Sequence, residues 1–399
     1  MKLLIYSHFF APSVGGVETA VHLLARGLSE IRGANGEAGF EVTLATPSLR
    51  KDFDDAALPF RVVRGPGYLT LFKLIKRADV IHVAGPSLLP LWIAWCMRTP
   101  VVVEHHGYQA ICLNGLLLRQ PGATVCPGYF QARDYKKCLS CFAQETSWPR
   151  SMFKLLTMFP RGFLLRRVAA NIAISRHLMN RQRLTRTDVV YYGIEDPLHA
   201  STQASVPDHP GPELCFAYVG RFVWEKGAAV LLRAASLLRK EGLRFTVLLI
   251  GDGVQRPELE QLIQRENLSD TVTVTGYLRG ADLATELERV DVVVMPSLCE
   301  ETAGLSAIEQ MMRGRLVIAS AIGGLREIVE GAGLTFPAGD DVALAARMRA
   351  VIENPLHFLE LGQMARKRSL EFFQVQRMVD GHASIYHRIW RLKHDPTES

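Results

Sequence analysis

Two glutamates near the carboxyl end of the chain have a spacing that limits the chemistry they could share. Glu301 and Glu309 lie eight residues apart, after an apolar run. If both were helical, they would stand about 12 Å apart along the axis and about 80° apart around it. This exceeds the roughly 5 to 9.5 Å between the paired carboxyl groups of glycoside hydrolases. The spacing therefore disfavours a hydrolytic acid and base.

The same pair suits hydroxyl groups at two separated parts of one elongated ligand. A helix that begins between Thr302 and Ser306 would offer backbone N–H groups to a phosphate lying between the two carboxylates. A sugar, a diphosphate and a ribose have that layout. Alternatively, Glu309 lies on a solvated helix face, and Glu300 and Glu301 interact only with the helix dipole.

Two cations occupy the run Gly220 to Gly227, which follows the apolar segment Cys215–Val219. Arg221 and Lys226 are expected at the carboxyl end of a strand, where open α/β sheets bind their ligands. A guanidinium binds phosphate through a planar fork, and a departing diphosphate needs such charge. The alternative is a solvated loop in which Lys226 pairs with Glu225.

Glycines and histidines mark three further loops. Gly251 and Gly253 permit a tight turn and a close backbone approach after the strand that precedes them. Gly15 and Gly16 open a helix after the first strand but do not complete a G-x-G-x-x-G pattern, so a dinucleotide site is not supported. His105 and His106 end another strand and point to the same presumed site, although either one could be a structural histidine.

The elements that must position these residues follow from β-branched runs that alternate with helical segments, a pattern typical of parallel sheets covered by helices on both faces. The chain has 399 residues, which is too long for one hydrophobic core. Two doubly wound domains with a cleft between them are predicted. The predicted strands are 3–7, 42–45, 61–63, 80–83, 101–104, 171–174 and 189–191 in the first half, and 215–219, 245–250, 272–274, 290–295 and 316–319 in the second.

The runs Gly220 to Gly227, Gly251 to Gly253, Glu301 to Glu309 and Gly323 to Glu327 together resemble the donor-binding domain of glycosyltransferase family 4. These are retaining enzymes of GT-B architecture, an α/β fold of two Rossmann-like domains. The resemblance is looser in the first half, where Gly15-Gly16 and His106-Gly107 match. It departs from the family at Thr302-Ala303, where an aromatic residue is usual, and at Tyr192, where Asn is usual.

The resemblance implies a role for each matched position. Arg221 and Lys226 would neutralise the diphosphate of a UDP- or GDP-sugar, and Glu309 would hold the ribose. Glu301, with the backbone of Ala303, Gly304 and Leu305, would hold the transferred sugar beside His106. Gly220, Gly251 and Gly253 would shape the donor site, and Gly15 and Gly16 would lie near the phosphates or the acceptor. The family needs no metal at the diphosphate, so no cofactor is expected for catalysis.

The resemblance and the composition also predict domain limits. Residues 1–197 form the acceptor-side domain with a Cys-rich insertion at 108–147, 198–213 form a Pro-rich linker, and 214–375 form the donor domain. A helix in 376–399 is expected to pack back on the first domain. Within the insertion, Cys112, Cys126, Cys138 and Cys141 end in a C-x2-C knuckle, which favours a structural zinc over four unrelated thiols.

The net charge of +6 is unevenly distributed. Residues 1–196 hold 24 Lys plus Arg and 14 Asp plus Glu, a balance of +10, so the remaining 22 and 26 leave −4. Between Thr146 and Thr187 there is no acidic residue among nine basic ones. The nine are Arg150, Lys154, Arg161, Arg166, Arg167, Arg176, Arg181, Arg183 and Arg186.

Apolar residues interleave with this basic segment at helical spacing, which favours contact with an anionic membrane. They are Met152, Phe153, Leu155, Leu156, Met158, Phe159, Phe163, Leu164 and Leu165. Alternatively, the apolar side is core and the cations are solvated. Nucleic-acid motifs are not apparent, and the start of the chain shows no signal-peptide pattern.

The sequence thus predicts a retaining glycosyltransferase that is cytoplasmic and peripheral at the inner face of the plasma membrane. Its acceptor would be a lipid-linked or polysaccharide intermediate. A nucleotide-sugar epimerase, or a non-catalytic nucleotide-sugar-binding or membrane protein, are the alternatives.

Overall fold

The computed structural model describes residues 1–13, 15–33, 39–49, 53–119, 124–200 and 213–394, with the side chains of 199 and 200 excepted. The chain forms two compact units. Unit 1 comprises 1–122, 126–194 and 373–399, and unit 2 comprises 123–125 and 195–372. Most of the predicted linker, 201–212, lies outside the described residues, as do 395–399.

Short strands alternate with helices along both units. The strands are β1 Lys2–Ser7, β2 Glu41–Thr46, β3 Arg61–Arg64, β4 Val80–Ala84, β5 Val101–His105, β6 Leu118–Arg119, β7 Thr124–Val125, β8 Ala170–Ala173, β9 Thr187–Val189, β10 Cys215–Val219, β11 Thr246–Ile250, β12 Val272–Gly276, β13 Val292–Met295, β14 Leu316–Ser320 and β15 Leu334–Phe336.

The helices follow the same order. They are α1 Gly16–Glu30, α2 Tyr68–Arg77, α3 Leu88–Met97, α4 Tyr135–Phe142, α5 Trp148–Leu165, α6 Arg176–Gln182, α7 Pro197–Ala200, α8 Ala228–Lys240, α9 Arg256–Arg265, α10 Gly280–Glu288, α11 Leu305–Met312, α12 Gly323–Ile328, α13 Asp341–Glu353, α14 Pro355–Phe372 and α15 Val375–His394.

Unit 1 is built on a seven-stranded parallel sheet in the order β3-β2-β1-β4-β5-β8-β9. The strand order reverses between β1 and β4, and ligands of such sheets bind beyond the carboxyl ends at that reversal. Helix α15 packs on α1 and β4 within this unit. Its buried residues recur at helical spacing, from Met378 through His382 and Tyr386 to Ile389.

Unit 2 is built on a six-stranded parallel sheet in the order β12-β11-β10-β13-β14-β15. Its core joins apolar residues of β10, β11 and β13 to the buried faces of α8 and α13. The order reverses between β10 and β13, so the loops after these two strands are neighbours at one edge of the sheet.

The α/β class with two doubly wound parallel sheets is confirmed, and each predicted strand appears within a few residues. The prediction missed β6 and β7, which have two residues each and form a separate two-stranded sheet. It also missed β15, a three-residue edge strand that pairs with β14 and carries little hydrophobic pattern. It placed β9 two residues too late, at 189–191 instead of Thr187–Val189.

Candidate active site

Backbone contacts between the loops after β10 and β11 form the floor of the candidate site in unit 2. The N–H of Gly220 donates to the carbonyl of Ile250 at 3.0 Å, and that of Phe222 donates to Asp252 at 2.8 Å. Gly251 has φ +144°, and a Cβ there would lie 1.9 Å from the carbonyl oxygen of Gly220. A Cβ on Gly253 would lie 2.4 Å from the carbonyl oxygen of Phe222. The loop after β11 therefore requires glycine at both positions.

An ion pair joins the loops after β10 and β13. The ammonium of Lys226 lies 2.5 Å from Oε1 of Glu301, and the hydroxyl of Ser297 donates to the same oxygen at 2.7 Å. The two charged side chains are only 25% and 12% exposed. Lys226 thus pairs with Glu301 and not with Glu225, the partner in the solvated-loop alternative.

The electrostatics of this pair follow from its burial. Burial alone would push the pKa of the Glu301 carboxyl upward, but Lys226 and the hydrogen bonds hold that pKa below its ordinary value. Burial likewise opposes the charge on Lys226, yet Glu301 raises the pKa of the ammonium. Both groups are therefore charged at neutral pH, and Glu301 is not a proton donor there.

Arg221 adds an exposed cation beside this pair. Its positive charge acts on both Lys226 and Glu301, and its carbonyl accepts a hydrogen bond of 2.7 Å from the Tyr218 hydroxyl. The guanidinium is solvent accessible. Arg221 and Lys226 thus supply two neighbouring positive charges at the reversal of the strand order.

The structure corrects the helical spacing used for the two glutamates. Helix α11 begins at Leu305, and Gly304 precedes it with φ +78°, so Glu301 lies in the loop before the helix. A Cβ on Gly304 would lie 2.5 Å from the Leu325 side chain. Ala303 is buried, and Glu309 is exposed on α11. The separation expected for two helical residues does not apply.

In unit 1, Gly15 and Gly16 lie where β1 leads into α1. Gly15 precedes the helix in extended conformation, and its carbonyl accepts the N–H of Thr19 at 3.0 Å. A Cβ on Gly15 would lie 2.5 Å from Oε2 of Glu18. The carboxylate of Glu18 therefore covers this turn.

The two histidines after Glu104 are both largely buried. His105 ends β5, is 0% exposed, and its Nε2 bonds to Oδ1 of Asn171 at 2.9 Å, which is the structural alternative. The His106 side chain is 5% exposed, and its Nδ1 lies 2.6 Å from the Tyr192 hydroxyl. Burial lowers the pKa of His106 to about 4, so the ring is neutral at pH 7.

Sequence reasoning missed several of these contacts. Ser297 could have been found, because it follows β13 directly and faces the loop that holds Glu301. The Tyr192 hydroxyl replaces the Asn usual in the family and reaches His106 across 86 positions of sequence. No local pattern in the sequence signals that contact.

The four insertion cysteines are neighbours. The Cys138 thiol lies close enough to Cys112, Cys126 and Cys141 for their charges to act on it, and burial chiefly raises its pKa to about 12. Within the described ranges, only His82, Glu104 and His382 bring three ligand atoms within 4.8 Å of one another, so the thiols do not meet that spacing. Zinc at the cysteines stays a prediction.

The basic segment divides between core and surface. Leu155, Met158, Leu164 and Leu165 are buried, whereas Met152, Phe153, Leu156, Phe159 and Phe163 are exposed. Arg161 is buried and donates to the carbonyls of Pro86 and Gln109. Arg181 and Arg186 donate to the carbonyls of Cys126 and Val168. The segment is thus neither all core nor all surface.

Neighbouring helices extend this exposed apolar area. Helix α3 packs on both α2 and α5. It exposes Trp92 and Trp95, and α2 exposes Tyr68 and Leu69, which are 76% and 78% accessible. We call the exposed apolar side chains of α2, α3 and α5 the apolar surface. No helix among the described residues is long and apolar enough to cross a bilayer.

Family comparisons cover most of the chain. Residues 14–196 match the model described as Glycosyltransferase Family 4, and residues 213–354 match the one described as Glycosyl transferases group 1. Among curated proteins, the chain is 31% identical to 2-deoxystreptamine glucosyltransferase of Streptomyces kanamyceticus over 46% of this chain and 47% of that protein. The chain thus spans about half the length of this relative.

Another relative is matched along most of its length. The chain is 27% identical to 2-deoxystreptamine N-acetyl-D-glucosaminyltransferase of Streptomyces fradiae, over 93% of each. Two solved structures share the fold. Anabaena Alr3699/HepE in complex with UDP has a TM-score of 0.70 at 18% identity, covering 97% of this chain and 100% of that one. Sucrose-phosphate synthase of Thermosynechococcus elongatus has a TM-score of 0.70 at 22% identity, covering 98% and 99%.

The two parallel sheets, the charged loops at the reversal of the unit 2 sheet and the two family models agree, and the chain belongs to the family 4-type glycosyltransferases with the GT-B fold.

Proposed function

We propose that this protein transfers a sugar from a nucleotide-sugar donor, with retention of anomeric configuration, to a lipid-linked or polysaccharide acceptor at the cytoplasmic face of the membrane. The observation that carries the proposal is the charge arrangement at the reversal of the unit 2 sheet. Arg221 and the Lys226–Glu301 pair lie there on loops that follow neighbouring parallel strands.

The chemistry follows from those charges. The diphosphate of a nucleotide sugar carries two negative charges and gains a third as the bond to the sugar breaks, until the departing phosphate takes the proton of the acceptor hydroxyl. Preorganised cations that meet this developing charge give the largest contribution to catalysis. Arg221 binds the diphosphate with its accessible guanidinium. Lys226, held in place by Glu301, stabilises the departing phosphate. Front-face attack on the sugar, assisted by that phosphate, retains the anomeric configuration.

The remaining residues position the donor. Glu309 accepts hydrogen bonds from the ribose hydroxyls. Glu301, a carboxylate at neutral pH, accepts hydrogen bonds from the transferred sugar with the backbone of Ala303, Gly304 and Leu305. His106 is neutral and packs beside that sugar. Gly15 and Gly16 lie by the phosphates or the acceptor.

A uridine donor is the first choice. Three of the fold relatives are structures of Alr3699/HepE with UDP, with UDP and glucose, and with UDP-glucose. At 18% identity these structures share the fold with this chain. Because they contain UDP or UDP-glucose, we propose UDP-glucose as the first donor to assay and GDP-sugars as the second.

The apolar surface of unit 1 supports a membrane-bound acceptor. Phe153 is 70% exposed on α5, and Arg150 and Arg166 lie on the same helix or at its end. Exposed apolar residues beside cations match the interface of an anionic bilayer. A groove of about 640 Å³ between α3 and α5, lined by Leu91, Trp95 and Leu164, has room for part of a lipid chain.

A free aminocyclitol is the second acceptor candidate, because the relative matched over 93% of its length is named for 2-deoxystreptamine. The sequence also allows two alternative functions, a nucleotide-sugar epimerase and a non-catalytic binding protein. An epimerase would convert the donor with no acceptor present. A non-catalytic binding protein would hold the donor and yield no product with any acceptor.

Release of nucleoside diphosphate from UDP-glucose, with lipid-linked glycans or 2-deoxystreptamine as acceptor, tests the proposal. We expect Arg221→Ala to lower kcat/KM about 10²- to 10³-fold and Glu309→Ala to raise the KM for donor. Arg233→Ala is the control, since Arg233 pairs with Asp341 on the surface. The site assignment is wrong if Arg221→Ala and Glu309→Ala both behave as Arg233→Ala does. The anomeric configuration of the product, by NMR, tests retention.

We also propose a structural zinc at Cys112, Cys126, Cys138 and Cys141. The support is the C-x2-C knuckle, the nearness of the four thiols, and the small local core of Leu113, Leu155 and Met158 that packs against Cys138. Cys138→Ser together with Cys141→Ser should remove about one equivalent of zinc. Equal zinc in this variant and in the wild type would refute the site.

A further inference from the structure

Three ionisable side chains from distant parts of the chain converge inside unit 1. His82 lies within β4, Glu104 lies on the adjacent strand β5, and His382 lies on α15. Their side chains are 0%, 2% and 0% exposed. Nε2 of His82 is 3.3 Å from Oε2 of Glu104, and Nε2 of His382 is 3.4 Å from Oε1.

These separations are too long for charge-assisted hydrogen bonds, which span about 2.7–2.9 Å. Neither the Nε2 of His82 nor that of His382 has a hydrogen-bond partner among the residues that the structure describes. In a tetrahedral site with metal–nitrogen and metal–oxygen bonds of about 2.0–2.1 Å, neighbouring ligand atoms lie about 3.3–3.4 Å apart. Each histidine nitrogen lies at that distance from one oxygen of Glu104, His82 from Oε2 and His382 from Oε1, and one ligand atom from each of the three residues lies within 4.8 Å of the others.

The opposite ring nitrogen of each histidine has a hydrogen-bond partner, as in metal-bound histidines. Nδ1 of His382 lies 2.8 Å from the carbonyl of Met378. A carbonyl only accepts, so this nitrogen carries the proton and a neutral ring turns the lone pair of Nε2 toward Glu104. Nδ1 of His82 lies 2.8 Å from the Tyr386 hydroxyl, one turn further along α15.

We propose that His82, Glu104 and His382 bind a divalent transition-metal ion, with zinc as the first choice. Two imidazoles and one carboxylate are a ligand set that proteins use for zinc. The ion neutralises a carboxylate that is otherwise surrounded by protein, and it links α15 to the sheet across 300 positions of sequence. The ion would also be a neighbour of His106, because Nε2 of His106 lies 3.6 Å from Oε2 of Glu104.

A shared proton is the competing account. A proton held between Glu104 and one of the two imidazoles would also balance the charge of the carboxylate and would need no metal. The two accounts differ in metal content, in the response of the melting temperature to chelators, and in the spectrum of bound cobalt.

The experiment uses the full chain with Cys138→Ser and Cys141→Ser, which separates this site from the cysteines. The protein is made without a polyhistidine tag and without chelator, and its zinc is measured by mass spectrometry. We expect about one equivalent of zinc, and a lower melting temperature after chelator dialysis. Cobalt added to the dialysed protein should give d–d absorption without the thiolate charge-transfer band that cysteine ligands produce.

The variant His382→Gln, in the same background, should bind zinc at least tenfold more weakly than its parent. His394→Gln is the matched control, because His394 is an exposed histidine of the same helix. If His382→Gln does not fold, the parent protein alone decides. A parent that holds no zinc and shows no cobalt spectrum overturns the proposal, as does a folded His382→Gln that binds zinc like the His394→Gln control.

Discussion

Replacement of Lys226 by Met tests the ion pair at the centre of the candidate site. Methionine keeps most of the length of the side chain and removes its charge. Glu301, 12% exposed, then keeps its contact with Ser297 but loses its cation. Breaking a fully buried pair from one side costs about 3–5 kcal/mol. Because the Lys226 side chain is 25% exposed, we expect about 2–3 kcal/mol of lost stability at neutral pH.

The pH dependence of this loss follows from the direction of each pKa shift. The pKa of Glu301 is lowered from 4.5, so its contribution is present above that value and is lost as pH falls through the lower folded-state pKa. The pKa of Lys226 is raised from 10.5, so its contribution is present below that value and is lost above the higher folded-state pKa. The stability gap between wild type and variant is therefore largest between about pH 5 and 10 and narrows in acid.

Thermal melts across this pH range measure the gap, and nucleotide release measures activity. We expect kcat to fall about 10²- to 10³-fold, the usual effect of losing one electrostatic group in the transition state. Lys240→Met is the control, since Lys240 pairs with Glu266 on the surface and such pairs are worth about 1 kcal/mol or less.

A second variant separates the burial of charge from catalysis. Adding Glu301→Gln to Lys226→Met leaves no uncompensated carboxylate, so the double variant should regain much of the lost stability while activity stays low. The ion pair does not stabilise the protein if Lys226→Met melts like Lys240→Met at pH 7, or if the stability gap between Lys226→Met and wild type is the same at pH 4 and pH 7.

Three further outcomes are expected. Gly251→Ala should weaken UDP binding more than tenfold, because the new Cβ would lie 1.9 Å from the carbonyl oxygen of Gly220. Gly242→Ala, whose new Cβ meets no atom within 4 Å, should leave UDP binding unchanged. Equal UDP affinity in the two variants would show that the site does not depend on glycine at 251. Phe153→Ser should lower binding to anionic vesicles in sedimentation by about tenfold at unchanged melting temperature, and unaltered sedimentation would count against the apolar surface. Tyr192→Phe should lower kcat several-fold, because it releases Nδ1 of His106. In the wild type, the pH profile of kcat should show no titration of His106 above pH 5. A change of kcat with pH near 6.5 that disappears in His106→Gln would contradict a neutral His106 ring.

The charged part of the candidate site in unit 2 could be predicted because its residues lie in short runs directly after strands. Parallel strands end at the same edge of a sheet, and the pairing of β10 with β13 makes the runs after these two strands neighbours. Lys226 and Glu301, 75 positions apart, meet in this way. The start of α11 was less predictable, because it depends on Gly304 adopting φ +78° beside Leu325.

Unit 1 was less predictable because its buried contacts are long-range. His82 and His382 are separated by 300 positions, and each alone resembles an ordinary histidine in an apolar element. Only the return of α15 to the sheet of unit 1 brings both to Glu104. The hydrophobic pattern predicts that a helix is amphipathic, but it does not specify which strand the helix covers.

The basic segment shows how a count of cations overstates a charged surface. Arg161 is buried and donates to two carbonyls, and Arg181 and Arg186 are tied to carbonyls as well, so part of the positive charge is structural. Additional cations beside the apolar surface come from α2, which exposes Lys73 and Lys76 and lies outside the segment that the sequence singled out. Since each cation near an anionic bilayer adds about 1 kcal/mol, membrane binding should depend on α2 as well as on α5.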